Sequence, residues 1–202
     1  MAGWTLHTGT AVALPRENID TDQLIPARFM SVPRSQGYGP YLLHDLRRDE
    51  DGNQRPDFPL NTHADATVLI AGANFGCGSS REAAVYALVD AGFAAVFAPS
   101  FGDIFASNAV NNGLLPARIA TDTHAALLQT VGESCAVSVD LETNHARFGD
   151  FEVAFALDDT WRTKLINGWD DIDLTQQHAA AITSFRSQYV QSKQWAAIPS
   201  TG

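Results

Sequence analysis

The sequence predicts an α/β fold with a mostly parallel central sheet. Three observations carry that expectation. Short β-branched and aliphatic runs alternate with segments of strong helix formers, glycines punctuate the joins, and the order strand, helix, strand, helix, strand recurs between residues 67 and 119. A chain of 202 residues with 45% hydrophobic residues is long enough to bury a core and suits one domain over 1–202.

Residues 4–14 read as a first strand, with Leu6, Val12 and Leu14 apolar, running into the acidic stretch 18–22. Residues 27–63 carry little periodic signal beyond a short helical patch near 41–46. They include Ser35-Gln36-Gly37-Tyr38-Gly39-Pro40 and a charge run at 47–51. A stretch that long without clear elements is a functional excursion or is partly disordered. Alternation resumes with a buried strand at 67–71, and 83–89 pairs helix-forming residues with apolar positions at helical spacing. A strand at 94–99, a helix at 101–111 closed by Gly113, and a strand at 114–119 follow. A helix over 123–131 ends at Gly132. Residues 135–142 and 152–157 alternate as strands do, and 144–150 read as the turn between them. Residues 161–167 are helical with Gly168 as the C-terminal cap, and 179–195 form an amphipathic helix. Internal repeats and low-complexity tracts are absent from the sequence.

The formal charge of −10 and a pI near 4.8 argue against nucleic acid or an anionic membrane as partner, because both repel such a chain at long range. A local cationic pocket for a small dianion stays compatible with that balance. No apolar run approaches the roughly 20 residues of a membrane span, and the start has neither a basic n-region nor an apolar h-region. A cytoplasmic location is expected. Cys77 and Cys135 are the only cysteines, so no disulfide framework is expected and Cys77 reads as structural. Two thiols are too few to hold an iron–sulfur cluster, which takes about four, and the scattered histidines form no His-Glu-x-x-His pair. No metal site is expected on this chain.

The chemistry concentrates in Gly72-Ala73-Asn74-Phe75-Gly76-Cys77-Gly78-Ser79-Ser80-Arg81-Glu82, which joins a buried strand to a helix. Unpaired N–H groups and the helix dipole favour an anion there, and Arg81 adds a fork that grips a carboxylate or phosphate. A phosphate-cradling P-loop needs Gly-Lys-Ser/Thr where this loop has Gly78-Ser79-Ser80-Arg81. A dinucleotide fingerprint needs a glycine where Arg81 sits. A purely structural alternative is a capping box, since Ser79 is followed three residues later by Glu82. In the acidic stretch Asn18-Ile19-Asp20-Thr21-Asp22, an EF-hand reading fails because Gln23 holds the glycine position and Phe29 the glutamate position. An Asx-turn accounts for Asn18 and Asp20.

The segment from Asn74 to Ala84 resembles the active-site loop in the swivelling domain of the aconitase family, in particular the branch formed by 3-isopropylmalate dehydratase small subunits. Asn18-Ile19-Asp20-Thr21-Asp22-Gln23-Leu24-Ile25-Pro26, the stretch from Ala98 to Phe105, Asn112-Gly113-Leu114-Leu115-Pro116 and the stretch from Asn167 to Ile172 agree in the same order. The match spans nearly the whole chain, and its length outweighs the capping alternative.

This resemblance implies a swivelling β/β/α domain that closes over a large subunit. The reaction implied is hydro-lyase chemistry, a reversible dehydration of 2- and 3-isopropylmalate in leucine biosynthesis, active only with that partner in a heterodimer or higher hetero-oligomer. By resemblance Ser79 is the base, acting as an alkoxide, Arg81 clamps a carboxylate of the small dicarboxylate substrate, and Ser80 adds a hydrogen bond. Asp22 orients a catalytic histidine of the large subunit, which also carries the four-iron four-sulfur cluster; this chain binds no cofactor of its own. The segment Arg28-Phe29-Met30-Ser31-Val32 approaches the substrate's variable group, with Phe29, Met30, Ser31 and Val32 as substrate-binding residues, and Phe29, Met30 and Val32 favour an alkyl substituent over a carboxylate. Arg28 and Arg34 leave the tricarboxylate answer open. The alternatives are a relative acting on another 2-alkylmalate or homoaconitate, and a non-catalytic anion-binding module. Two positions depart from the family pattern: Ala83 stands where a histidine is usual, and Trp169 where a leucine is.

Overall fold

The computed structural model describes residues 2–193 and Trp195; Met1, Gln194 and 196–202, which the single-domain expectation also spans, lie outside the described residues. Seven strands form one sheet in the order β4-β3-β2-β1-β5-β6-β7. They are β1 Leu6–Leu14, β2 Val68–Ala71, β3 Ala95–Ala98, β4 Leu115–Arg118, β5 Ser134–Asp140, β6 His145–Phe148 and β7 Phe151–Ala154. The helices in chain order are α1 Thr21–Leu24, α2 His44–Arg47, α3 Pro59–Thr62, α4 Glu82–Asp90, α5 Asp103–Asn111, α6 Thr121–Val131, α7 Asp159–Asn167, α8 Asp171–Gln176 and α9 Ala179–Ser192.

Strands β1 to β4 are parallel, as the alternating pattern predicts, and β5, β6 and β7 extend the sheet as an antiparallel meander from the other edge of β1. β2 and β3 are buried at every position because layers cover both of their faces. The pleat sends alternate residues to opposite cores. Leu69 and Ala71 join Val12, Leu14, Val96 and Ala98 under α4 and α5, while Val68 and Ile70 join Ala11, Ala95 and Phe97 in the second core with Leu127 of α6 and Phe148.

Residues 144–150, expected as a turn, contain the strand β6. Asn144 and Gly149 both take positive φ, at 56° and 57°, so two tight turns bracket a strand too short to announce itself. Only the buried Ala146 and Phe148, alternating with exposed His145 and Arg147, betray it. The stretch 27–63 is structured. It consists of 3₁₀ turns at Ala27–Ser31, Arg34–Gln36 and Gly39–Tyr41 followed by α2 and α3, and it buries Tyr38, Leu42, Leu43, Phe58 and Leu60. Elements of three to five residues are shorter than any window in which a period shows, which is why the sequence reads as featureless there. Arg34 forks onto Asp90 at 2.6 and 2.9 Å, and Tyr38 N–H donates to the same carboxylate at 2.6 Å, pinning the excursion to the end of α4.

Gly168 ends α7 in the left-handed conformation, φ 70°, as the sequence predicts. Immediately after it, Asp170 caps α8, a helix of six residues that the sequence reading did not resolve. The helix expected over 179–195 runs from Ala179 to Ser192, and no residue of α9 is buried. Its apolar residues Ile182, Phe185 and Tyr189 are 47%, 68% and 39% exposed, so the face expected to pack has no cover within the described chain.

Lys164 is only 2% exposed. Its ammonium donates to Asn111 and, at 2.7 Å, to Asp171, while Asn111 donates to Asp171 at 3.0 Å. The lysine hydrogen bond and that of Asn111 hold the Asp171 carboxyl below its ordinary pKa. Asp171→Ala should therefore destabilise the fold by about 2 kcal/mol, discounted because Asp171 itself faces water, and Lys164→Met should cost less because it removes the buried charge and leaves behind only the Asp171 carboxylate, which is open to water. Denaturant midpoints of the two variants check the order. The Asp171 contribution is full above an unfolded-chain pKa of about 4 and is lost as pH falls through the lower folded-state value.

Candidate functional site

At the carboxyl ends of β1, β2 and β3 the chain motifs that lie far apart in sequence meet. Asn18 N–H donates to the Ala73 carbonyl at 2.9 Å, the Asn74 side-chain amide donates to Asn18 Oδ1 at 2.8 Å, and Asn74 N–H donates to Ser100 Oγ at 2.8 Å. Phe75 N–H donates to the Ser100 carbonyl at 3.1 Å and Gly102 N–H returns to the Phe75 carbonyl at 2.9 Å. The loop after β2 is thus stitched on one side to the loop after β1 and on the other to the loop after β3. Gly76 has to be glycine here, since its φ is 71° and a Cβ would lie 2.2 Å from the Phe105 ring.

On this base, α1 begins with Asp20 as N-cap in a capping box with Gln23. Thr21, 2% exposed, donates its N–H to the Cys77 carbonyl and its hydroxyl to the Ser79 carbonyl, both at 2.9 Å. Its neighbour Asp22 forms an ion pair with Arg81. Asp22 and Arg81, singled out from the sequence, are therefore together, and Ser79 lies against the residue beside Asp22. Ser79 and Ser80 are exposed, whereas the Arg81 side chain is only 23% exposed.

The capping alternative for Ser79 is not what this loop forms. Arg81 is the N-cap of α4, with φ −121° and ψ 106°, and no side chain caps that terminus. Glu82 instead accepts from the Asn112 amide at 2.9 Å. Burial, followed by a hydrogen bond to Glu82, pushes the Tyr86 hydroxyl up. The serines precede a helix whose N-terminus has no side-chain cap and whose N-cap residue, Arg81, carries a guanidinium, an arrangement that suits an anion. Ala83 is buried in the first turn of α4, facing the core.

The segment expected near the substrate's variable group divides. Phe29 stacks on Tyr41 at 4.4 Å between ring centroids, and both Phe29 and Val32 pack on the chain's own core. Met30, 40% exposed, and Ser31 face outward. Both nearby cations are already matched by carboxylates. Arg28 forks onto Asp45, its guanidinium holding that carboxyl down to about 2, and Arg34 is taken by Asp90. A cleft of about 410 Å³ lined by Phe101, Arg118, Leu157 and Trp161 lies elsewhere, and none of Asp22, Ser79, Ser80 or Arg81 lines it. The candidate site is an open loop surface on this chain.

Sequence reasoning missed Thr21, Asn112 and the Asn18–Asn74 contact as parts of this site. Each belongs to a motif that the sequence singled out, but the pairing between motifs leaves no trace in one sequence. Among the described residues no three His, Cys, Asp or Glu side chains gather as metal ligands, and the free Cys77 and Cys135 sit in the loop and in β5. That donor set does not fit an iron–sulfur cluster. No described helix is long and apolar enough to cross a membrane.

A sequence profile described as the aconitase C-terminal domain matches residues 1–122, which hold the whole parallel half of the sheet and the loop at Ser79. The chain belongs to the aconitase C-terminal domain family. Within that family its curated relatives include 3-isopropylmalate dehydratase small subunits. The chain is 44% identical over 183 residues to that of Shouchella clausii, covering 89% of this chain and 93% of that protein. It is 44% identical to that of Bacillus subtilis, covering 90% and 94%, and 42% identical to that of Roseobacter denitrificans, covering 96% and 100%. These alignments extend the family match beyond the profile into the antiparallel meander. A crystal structure of a 3-isopropylmalate dehydratase from Methanocaldococcus jannaschii superposes with a TM-score of 0.66 at 24% identity, over 89% of this chain and 98% of that one, and so bears out the aconitase-type fold.

Proposed function

We propose that the chain is the small subunit of a 3-isopropylmalate dehydratase, a hydro-lyase that interconverts 2- and 3-isopropylmalate by loss and return of water in leucine biosynthesis. It works with a large subunit in the cytoplasm. The carrying observation is the loop Ser79-Ser80-Arg81, set at an uncapped helix start and held by Thr21 and Asp22. In this reading Arg81 grips a substrate carboxylate with the edge of its fork not given to Asp22, and the Ser80 hydroxyl bonds the same group. Ser79 takes the proton from the carbon beside a carboxylate, its alkoxide favoured by the guanidinium and the helix terminus. Asp22 orients a histidine of the large subunit. A four-iron four-sulfur cluster on that subunit supplies the Lewis acid for the departing hydroxyl.

Two observations favour the alkyl substrate. Arg28 and Arg34 are neutralised by Asp45 and Asp90, and the outward-facing side chains between them, Met30, Ser31 and Pro33, carry no charge, the largest of them being the apolar Met30. Apolar contacts discriminate by about 1–3 kcal/mol per methylene, so isopropylmalate should be preferred and methyl-substituted malates should react slowly. The test is to mix the chain with its cognate large subunit and compare kcat/KM on isopropyl-, methyl- and carboxyalkyl-substituted malates. Preference for the tricarboxylate would overturn the substrate while sparing the reaction. The chain alone should show no turnover and no cluster absorbance after iron and sulfide reconstitution. Turnover by the chain alone would sink the two-subunit reading.

A further inference from the structure

We infer that Thr21 is a positioning residue for the dehydration, the buried clamp that fixes Ser79 where the substrate's proton is removed. This rests on the reading of Ser79 as the base. Gly78, the residue before Ser79, has φ 91°, a left-handed conformation that frees the chain to turn at that point. A serine placed directly after such a joint has no fixed direction unless the peptides on both sides of the joint are held. Thr21 holds both. Its N–H donates to the Cys77 carbonyl and its hydroxyl to the Ser79 carbonyl, each at 2.9 Å, so one residue spans Gly78 from side to side.

The surroundings make the clamp rigid. Thr21 is 2% exposed, and it is fixed by the capping box of α1 that starts at Asp20. A Cβ added at Gly78 would meet Asp20 Cβ at 3.5 Å and Thr21 Oγ1 at 3.7 Å, so α1 lies within one added carbon of the joint. A buried threonine hydroxyl needs a partner, and here that partner is the carbonyl of the candidate base itself. The next residue, Asp22, pairs with Arg81. Consecutive residues of α1 thereby hold the base and the carboxylate clamp, and the backbone of α1 sets the distance between them. Precise placement matters because a displacement of about 1 Å at a reacting group can cost about a hundredfold in rate.

The experiment uses the complex reconstituted with its large subunit. Thr21→Val keeps the shape and removes the hydroxyl, Thr21→Ser keeps the hydroxyl and removes a methyl, and Thr21→Ala removes both. If the clamp positions Ser79, Val and Ala lower kcat by about tenfold or more with KM within about twofold, and Ser restores most of it. In a Ser79→Ala background, Thr21→Val should produce no further fall in kcat, because its effect passes through the serine. Should the Val variant fail to fold, the Ser and Ala variants share the lost methyl and differ only in the hydroxyl, so their kcat ratio carries the test. Equal kcat for Thr21→Ser and Thr21→Ala, or an additive loss in the Ser79→Ala background, would overturn the inference. If Ser79→Ala alone keeps full activity, the reading of Ser79 as base fails instead, and the two failures stay distinct.

Discussion

Replacing Ser79 with alanine should lower kcat of the reconstituted enzyme by about a hundredfold or more, with the melting temperature and the affinity for the large subunit unchanged. The pairing of these readouts matters because a helix-capping serine and a catalytic serine fail in opposite ways. Loss of a cap costs about 1 kcal/mol of stability and spares turnover. Here the α4 N-cap is Arg81 and no side-chain cap bond exists for Ser79→Ala to remove. Ser79 is exposed and its backbone carbonyl, which survives the substitution, makes the contact with Thr21. Activity and a melting curve on the same variant decide the matter. A destabilised variant with normal turnover would leave Ser79 a structural residue and remove the base from the proposal.

The parallel half of the sheet was legible because its strands are buried on both faces, so Val68 to Ala71 and Ala95 to Ala98 are continuous apolar runs between turn glycines. The same logic fails where elements are short. β6 has four residues and a polar outer face, and α8 has six, four of them polar or charged. The excursion before β2 hides five buried side chains in turns that have no period. For the site, the contiguous run from Asn74 to Glu82 carries its own signal because glycines, hydroxyls and a guanidinium sit side by side. The couplings do not. Thr21 meets Ser79 across 58 residues and Asp22 meets Arg81 across 59, and no local pattern records which residue faces which.

The Ser79-x-x-Glu82 spacing shows how a local rule loses to tertiary contacts. For the capping box to form, the helix would have to start at Ser79, and the Ser79 backbone is instead drawn toward α1 through its carbonyl. Glu82 is likewise claimed by Asn112. Both partners of that alternative box are engaged by residues remote in sequence, and the helix begins after Arg81. What the fold gains is a helix terminus without a side-chain cap beside a guanidinium, an arrangement suited to an anionic substrate.

Arg81 should give the complementary result to Ser79. Arg81→Met removes a charge-assisted fork from the substrate carboxylate in both ground and transition states, so the loss should appear chiefly in KM and lower kcat/KM by about a hundredfold or more. Arg81→Lys keeps the positive charge without the planar fork and should recover only part of it. Stability should scarcely move. The Asp22 carboxylate is 53% exposed, and a pair so open to water is worth about 1 kcal/mol or less. Asp22→Asn separates the two tasks of the guanidinium: it frees Arg81 from its partner in the chain while leaving the fork itself intact. If Arg81 exists to hold Asp22, the Asn and Met variants should behave alike. If it exists to hold substrate, Arg81→Met should raise KM far more than Asp22→Asn does, and steady-state kinetics on the reconstituted complex measures that difference.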